Sequence, residues 1–363
     1  MAIEITPALR AARLSDEAAH QWYAKLPFLM GANYLPSSAI NQLEMFQADT
    51  FDPEINRREL SWAAACGMNS MRVYLHDLLW EADADGFKRR LDQFLSICSE
   101  LGIRPCLVFF DDCHRPHPKA GPQPAPVPGV HNSGWAQSPG VDALQDERQW
   151  PRLERYVTDI LKTFAGDARI VFWDLFNEPT NAGFDGNQGK AGHSARLVQA
   201  VFEWARAAAP SQPLSICAWR SPNPVHPPTR AELSEAEQLV LAVQQFCLDA
   251  SDIVTFHDYG PEDGLRRKIA EFQSLGRPVI CTEYMARTQH SFFQTHLPIF
   301  VEARVGAYNW GLVSGKSGTI FPWGSPEGAP EPELWFHDVL RPDGTPFDPA
   351  EIEALKQARA AAG

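Results

Sequence analysis

The sequence predicts an α/β fold, a single-domain (β/α)8 barrel of the TIM type, from three observations. Short apolar segments of strand length alternate with amphipathic segments of helix length, and this alternation repeats eight times along the chain. Such an order implies parallel strands joined by right-handed crossovers, and eight units close naturally into a barrel. The length of 363 residues suits one barrel domain. An open doubly wound sheet is the alternative, but no glycine-rich phosphate turn follows the first strand. We therefore predict one domain over residues 1–363.

The first half of the chain contains four of the predicted strands. They lie at residues 28–34, 70–76, 103–110 and 170–176. Asp52 and Pro53 open the helix after the first strand, as its N-cap and its first helical residue. The helical spacing of Phe87 and Leu91 predicts the next helix, which Gly102 ends.

The second half continues the same alternation to the end of the chain. Its strands are predicted at residues 213–219, 253–257, 278–282 and 306–312. Predicted helices lie at about 147–165, 193–209, 231–249, 262–275 and 291–304, with a closing helix within 349–361.

A long Pro- and Gly-rich loop at about 111–146 follows the third strand. Loops of this length inside a compact domain are usually functional or disordered. The run His131-Asn132-Ser133-Gly134-Trp135 is too aromatic for a simple linker. We hypothesise that this loop blocks one end of a cleft.

Composition and charge narrow the class of partner. The net charge of −13 and the pI of about 5.3 argue against nucleic acid and anionic membranes and suit a neutral ligand such as a sugar. The seven cysteines show no paired spacing, which favours buried free thiols in a reducing compartment. No signal peptide or membrane-spanning run is visible, so we expect a cytoplasmic protein, or a secreted one if a leader was removed. The oligomeric state is open.

Polar and aromatic residues follow the predicted strands at their carboxyl ends, where a barrel places its active site. They are Asn33 and Tyr34; Arg72, Tyr74 and His76; Asp111, Asp112 and His114; Asn177 and Glu178; Trp219 and Arg220; His257 and Tyr259; Glu283; Asn309 and Trp310. Aromatic rings can stack on sugar rings, and polar side chains can bond the hydroxyls. This ring of residues therefore predicts a carbohydrate pocket.

Two apolar runs end in an acid. One leads into Asn177-Glu178-Pro179 and the other into Glu283. Two glutamates at the ends of separate strands are what a double-displacement glycosidase requires, one to protonate the leaving oxygen and one to attack the sugar carbon.

The run from Trp173 to Pro179 resembles the Asn-Glu-Pro signature of clan A retaining glycoside hydrolases, and most closely the cellulase-like family 5. That family also has an Arg ending strand two, a His-x-Tyr ending strand six, a Glu ending strand seven and a Trp ending strand eight. The matching residues here are Arg72, His257-Asp258-Tyr259, Glu283 and Trp310. The resemblance covers about 28–315. The family often has a His ending strand three, where this chain has Asp111-Asp112-Cys113-His114, so the counterpart there is open.

The resemblance and the chemistry together imply roles for the matching residues. Glu178 is the expected acid/base, which must be protonated near neutral pH and so needs a raised pKa. Glu283 is the expected nucleophile, held ionised and oriented by Arg72 and Tyr259. Further contacts are expected from Asn177 with the sugar 2-hydroxyl, from His257 beside the acid/base, and from Trp310 under the sugar.

Other strand-end residues are expected to bind substrate. Asn33 and Trp219 belong to this group, and Asp112 is expected to bind a sugar hydroxyl. His76 is either a substrate contact or a structural residue, because alternating residues of a strand face opposite sides. Trp135 either caps the pocket or only fixes its own loop.

We expect no cofactor and no metal. The run from Asp111 to His117 contains carboxylates and imidazoles, but its spacing fits no ligand signature and Arg115 would oppose a cation. The sequence thus predicts a retaining β-glycosidase acting on β-linked oligosaccharides or glycosides of glucan, mannan or xylan type. A transglycosidase using the same intermediate and a carbohydrate-binding pseudoenzyme are the alternatives.

Overall fold

The computed structural model describes residues 3–181, 190–219 and 233–363. Eight parallel strands form one sheet in the order β5-β4-β3-β2-β1-β8-β7-β6. Their bounds are β1 Met30–Asn33, β2 Ser70–Tyr74, β3 Cys106–Asp111, β4 Trp173–Asn177, β5 Leu214–Ser215, β6 Val254–His257, β7 Val279–Tyr284 and β8 Gly306–Trp310. The two end strands meet, because the Asp252 amide donates to Leu214 O (2.8 Å) and the Ala218 amide donates to Thr255 O (2.9 Å). The predicted (β/α)8 barrel is confirmed, and the open doubly wound sheet is excluded.

The α-helices of the described residues surround this barrel. Their bounds are α1 Pro7–Ala11, α2 Asp16–Tyr23, α3 Gln42–Phe46, α4 Pro53–Ala65, α5 Asp77–Glu100, α6 Val141–Gln145, α7 Trp150–Thr163, α8 Ala191–Ala208, α9 Glu235–Ala250, α10 Glu262–Gln273, α11 Phe293–Ala303 and α12 Pro349–Ala361. Asp52 caps α4 as predicted, since its carboxylate accepts from the amides of Glu54 and Ile55.

Two elements differ from the prediction for local reasons. Strand β5 covers two residues instead of the predicted seven, since side chains replace part of the backbone ladder. The Leu214 amide donates to Asp252 Oδ2 (2.8 Å), and the Ile216 amide donates to Ser251 Oγ (3.1 Å). The short helices α1, α2, α3 and α6 were not predicted, because none of them spans enough turns to show a periodic apolar face.

The amino-terminal end of the barrel is closed by apolar packing. A small cluster that includes Leu29, Phe172 and Tyr308 fills the interior there, and Trp22 and Tyr23 of α2 pack against it. All seven cysteines are free and buried, as predicted. Within the described ranges, no helix has the length and apolarity needed to cross a membrane.

Strand register brings the polar strand ends together at the opposite end of the barrel. Asn33 pairs with Arg72 on one side and with Trp310 on the other. Asp111 pairs with Asn177, and His257 pairs with Glu283.

The loop after β3 crosses the barrel mouth and joins the stretch after β8. Asn132 donates its amide to Ser317 O (2.9 Å), and Gly328 donates its amide to Pro128 O (2.8 Å). The loop also lies over the residues that follow β1 and β2, since Asn41 Nδ2 donates to Gly134 O (2.8 Å) and His76 Nε2 lies 3.0 Å from Gln137 O. We call residues 127–137 and 315–337 the loop wall. It covers the mouth on the side of β1, β2 and β8.

A buried arginine connects the carboxyl end of β7 to the last helix. Arg287 donates to both carboxylate oxygens of Glu351 in α12 (2.7 and 2.6 Å) and to the carbonyls of Trp335 and Asp338 (3.0 Å each). The C-terminal helix is therefore bonded to the segment that carries the loop wall.

Candidate active site

A cavity of about 340 Å³ lies at the carboxyl end of the barrel. This volume is within the usual range of small-molecule sites, ~300–1,000 Å³. Residues that the sequence predicted make up more than half of its lining, namely His114, Trp135, Asn177, Glu178, Trp219, Tyr259, Glu283 and Trp310.

Glu178 follows β4 in a left-handed backbone conformation, with φ of 44°. This conformation is uncommon for a residue other than glycine and often marks a functional site. Its Oε1 lies 2.7 Å from His257 Nδ1, and its Oε2 accepts from Asn181 Nδ2 (2.5 Å) and from the Cys113 thiol (3.2 Å). The carboxylate is thus fixed from two sides.

Glu283 near the end of β7 is held by a cation and two phenols. Its Oε1 accepts from Arg72 Nη1 (2.9 Å) and from the Tyr74 hydroxyl (3.0 Å). Its Oε2 accepts from the Tyr259 hydroxyl (2.7 Å). His257 Nδ1 lies 3.5 Å from the same oxygen, so this imidazole stands between the two glutamates.

Arg72 is the centre of the hydrogen-bond network behind the cavity. It is fully buried and donates twice to Asp174 Oδ2 (3.0 and 2.7 Å). The carboxylates of Asp174 and Glu283 together balance the charge of the guanidinium. It also donates to Asn33 Oδ1 (2.9 Å) and to Asn177 Oδ1 (2.8 Å). Arg72 and Asn33 therefore position other site residues and do not line the main cavity.

Burial and charge set the protonation of these groups. Burial raises the pKa of Glu283 and the neighbouring Glu178 adds to the rise, whereas His257, Arg72 and the Tyr259 hydrogen bond act in the opposite direction. Burial lowers the pKa of His257 to about 3, so its imidazole is neutral at neutral pH.

Aromatic side chains line one side of the cavity. Trp135 packs edge-on against Trp310 and Tyr74, with ring centroids 5.4 and 4.9 Å apart. Its Nε1 also donates to Asp111 Oδ2 (2.6 Å), so Trp135 both lines the cavity and anchors its own loop. Trp219 lines the cavity as well and donates to Pro179 O (3.0 Å).

Two predicted substrate contacts lie elsewhere. His76 is fully buried, caps α5 through the Leu78 amide (3.2 Å), and its other ring nitrogen lies beside Gln137 O. Asp112 is also fully buried and accepts from the Thr180 amide (2.7 Å). This corrects the expectation for Asp112 and favours the structural alternative for His76, because both side chains bond to loops behind the cavity wall. Arg220 lies outside the described residues.

Several lining residues were not among the predicted site residues. Cys113 follows β3, Asn181 follows Pro179, and the others come from the loop wall: His131, Asn132, Trp323 and His337. The sequence carries a signal for part of this group in the aromatic run at 131–135 and in Trp323 after the last strand, whereas His337 has none.

The residues described here include one group with the spacing of metal ligands. It consists of Glu178, His257 and Glu283, and one ligand atom from each lies within 4.8 Å of the others. Hydrogen bonds among these residues and with Tyr259 already occupy Glu178 Oε1, His257 Nδ1 and Glu283 Oε2. The Asp111–His117 run does not converge, since Asp112 bonds Thr180 and His117 pairs with Asp142 on the surface (3.0 Å).

Comparison with known proteins gives a family match. Residues 40–310 match the family model described as cellulase (glycosyl hydrolase family 5). A search of curated proteins finds no match.

Solved structures share the fold at low identity. An endo-β-1,4-mannanase from Thermotoga petrophila is 15% identical with a TM-score of 0.58, over 94% of this chain and 78% of that chain. A GH5_18 protein from Streptomyces cattleya in complex with GlcNAc is 15% identical with a TM-score of 0.56, over 92% and 80%. The exo-β-1,4-mannosidase Op5Man5 from Opitutaceae bacterium strain TAV5 is 18% identical with a TM-score of 0.57, over 92% and 60%.

Proposed function

The chain belongs to glycosyl hydrolase family 5 and is a glycoside hydrolase, and from this premise we propose that it cleaves β-glycosidic bonds with retention of configuration. One observation carries the proposal. A carboxylate oxygen of Glu178 and one of Glu283 lie within 4.8 Å of each other, and both residues line the same cavity. This spacing suits the ~5–5.5 Å of retaining enzymes better than the ~6.5–9.5 Å of inverting ones.

In the first step, Glu283 is the nucleophile. Its carboxylate attacks the anomeric carbon while the bond to the leaving oxygen breaks, and Glu178 gives its proton to that oxygen. The result is a glycosyl ester on Glu283 and a free alcohol. Arg72, Tyr74 and Tyr259 donate to the Glu283 carboxylate, and so favour the ionised form that this step requires.

In the second step, Glu178 acts as the base. It takes a proton from water, the water oxygen attacks the anomeric carbon, and the ester bond to Glu283 breaks. His257 is neutral, and in the tautomer with its proton on Nδ1 it donates to the ionised Glu178 that acts as the base. The 2.7 Å contact therefore holds Glu178 in place for the second step.

The remaining predicted residues bind the sugar in this proposal. Asn177 accepts a hydrogen bond from Arg72 and donates one to Asp111 Oδ1 (2.9 Å), so its side chain is fixed. In this position its amide lies beside the anomeric centre and binds the sugar 2-hydroxyl. Trp310 forms the floor under the ring, and Trp219 is an aromatic contact near Glu178.

The substrate is a β-linked oligosaccharide or glycoside of mannan, glucan or xylan type. The solved structures above are similar in fold, and the names of two of them concern mannan and mannosides, whereas the third holds GlcNAc. Aryl β-mannosides and manno-oligosaccharides are therefore the first substrates to test, followed by the gluco and xylo series.

A slow fluorinated substrate tests the mechanism directly. The enzyme is incubated with a 2-deoxy-2-fluoro glycosyl fluoride of the preferred sugar, digested and analysed by mass spectrometry. We expect the sugar on the peptide that contains Glu283. Label on any other residue would reject this nucleophile, and an unlabelled but active enzyme would argue against a covalent intermediate.

Tyr259→Phe tests how Glu283 is kept ionised. The Tyr259 hydrogen bond lowers the pKa of Glu283, so its loss raises that pKa further. Because activity requires ionised Glu283, the acid limb of the kcat/KM profile should move to higher pH, and kcat/KM at the optimum should fall ~10-fold or more, the value of a hydrogen bond to a charged group. Tyr308→Phe is the control, because that hydroxyl bonds Ser70 (2.7 Å) at the other end of the barrel. Superimposable profiles for Tyr259→Phe and wild type would contradict the assignment.

Cys113→Ala tests the thiol beside Glu178. The thiol donates to Glu178 Oε2 at 3.2 Å, and loss of a donor favours the protonated carboxylic acid. The pKa of Glu178 should therefore rise, and the alkaline limb of the kcat/KM profile should move to higher pH by about 0.5 unit, as expected for a weak hydrogen bond. Cys113→Ser keeps a donor and should stay near the wild-type profile. A shift in the serine variant but not in the alanine variant would refute this role.

A further inference from the structure

We propose that the loop wall forms a closed subsite for the non-reducing terminal unit of a neutral oligosaccharide, which makes the enzyme trim chains from that end. The inference rests on the proposed function and deepens it, because it assigns both the mode of attack and the chemistry of the terminal unit.

The position of the wall determines whether it contacts the leaving group or the part of the substrate that keeps the anomeric carbon. Glu178 must face the leaving oxygen, so the leaving group lies on the side of β4. In an eight-stranded barrel β4 stands opposite β8, and the loop wall covers β8 and its neighbours β1 and β2. The part of the substrate that keeps the anomeric carbon is therefore enclosed by the wall.

The wall is held in place by hydrogen bonds from several elements. His131 Nδ1 donates to Phe321 O (2.8 Å), and Lys316 donates its amide to Ser37 O (3.0 Å) in the loop after β1. Gly318 lies so close to Val130 that a Cβ there would stand 2.9 Å from the Val130 carbonyl oxygen. These contacts leave no space for a sugar chain to pass between the two halves of the wall.

Residues of the wall that line the cavity carry hydrogen-bond acceptors. His337 Nδ1 donates to Met285 O (2.7 Å), so its Nε2 carries a lone pair; this nitrogen and Asn132 Oδ1 are buried without a partner among the described residues. His131 Nε2 carries a lone pair for the same reason. Burial lowers the pKa of His131 to about 4 and that of His337 well below its usual value, so both rings are neutral.

Acceptors without partners call for a ligand that donates. Sugar hydroxyls donate, and forming these bonds would remove the cost of unpaired buried polar atoms. The described residues that line the cavity include no Lys or Arg, so a uronic acid or a phosphorylated sugar would lack a counter-ion. Trp323, 40% exposed at the rim and edge-on to Tyr259 (5.0 Å), adds an apolar face for the ring.

The test uses a hexasaccharide that is labelled at its reducing end. Its sugar is the one that the enzyme prefers among the aryl β-mannoside, β-glucoside and β-xyloside substrates. We expect the label to move to shorter chains one product at a time, with a single small product from the start. A second hexasaccharide, whose terminal non-reducing hydroxyls are methylated, should be cleaved at least tenfold more slowly. Early labelled fragments of many lengths, or equal cleavage of the capped chain, would overturn the subsite.

A binding measurement separates this inference from the proposed function. The same two hexasaccharides, and their manno, gluco and xylo counterparts, are titrated into the Glu178→Gln variant and followed by calorimetry. Tighter binding of the free than of the capped chain supports the subsite even if no turnover is found, whereas equal or absent binding overturns it. Absence of turnover in the wild-type enzyme counts against the proposed function alone.

Asn132→Gly tests the acceptor itself. Asn132 has a φ of 47°, which glycine adopts without strain, so the substitution removes the amide and preserves the loop. We expect kcat/KM for the free chain to fall about tenfold and the preference over the capped chain to shrink. Ser317→Ala is the control, because that side chain bonds Thr319 (3.1 Å) within the wall. An unchanged preference in Asn132→Gly would overturn the role of this residue.

Discussion

Replacing Glu283 with glycine is expected to lower kcat by about 10⁴-fold or more, because the covalent route is lost with the nucleophile. The fold should survive this change. Arg72 keeps its double hydrogen bond to Asp174, so the buried guanidinium is still paired when the Glu283 carboxylate is removed. Initial rates on an activated aryl β-glycoside, with thermal unfolding as the check on folding, measure this effect.

The product formed with azide distinguishes a lost nucleophile from a damaged site. In Glu283→Gly, azide can occupy the space of the carboxylate and attack the anomeric carbon once. The product should therefore be the α-glycosyl azide from a β-glycoside. A β-glycosyl azide, or loss of activity below tenfold, would show that another group attacks the sugar.

Glu178→Gly is expected to show a loss that depends on the leaving group. General acid catalysis contributes ~10²–10⁴-fold, so oligosaccharides and other poor leaving groups should lose that much in kcat/KM. A dinitrophenyl glycoside needs no protonation and should lose little. Glycine also suits the left-handed backbone at this position, with φ of 44°, so the variant should be no less stable than the wild type.

The same azide experiment with Glu178→Gly should give a product of opposite anomeric configuration to that from Glu283→Gly. Glu283 still forms the ester, and azide then attacks without help from a base, so a β-glycosyl azide is expected. The two glycine variants thus serve as controls for each other. Equal losses for good and poor leaving groups would refute the assignment of Glu178 as the acid.

The sequence was sufficient for the barrel because most of its strands and all of its long helices have a strong local signal. The Asp52-Pro53 start of α4 and the apolar runs before Glu178 and Glu283 are local patterns. The extent of β5 was not predictable, since it depends on the side chains of Ser251 and Asp252, which lie on the neighbouring unit. Such replacement of ladder bonds is a tertiary effect that propensity does not contain.

The site was predictable where it lies on strand ends, and much less so where it lies on loops. A strand end identifies the barrel face but not the direction of a side chain, which is why Asp112 was assigned to the substrate and the role of His76 was left open. Cys113 and His337 reach the cavity only through the paths of the loops after β3 and β8. Their contribution depends on contacts between segments about 200 residues apart, and no local spacing encodes those contacts.

The ion pair between Arg287 and Glu351 connects the C-terminal helix to the residues around the cavity. The final helix supplies the counter-ion of a guanidinium that is fully enclosed, and removing one member of such an ion pair typically costs about 3–5 kcal/mol. Arg287 follows β7, the strand of Glu283, by a few residues and also bonds the segment beside His337. Shortening the protein at its terminus would therefore disturb the glycone side of the reaction centre, although the deleted residues never approach the sugar.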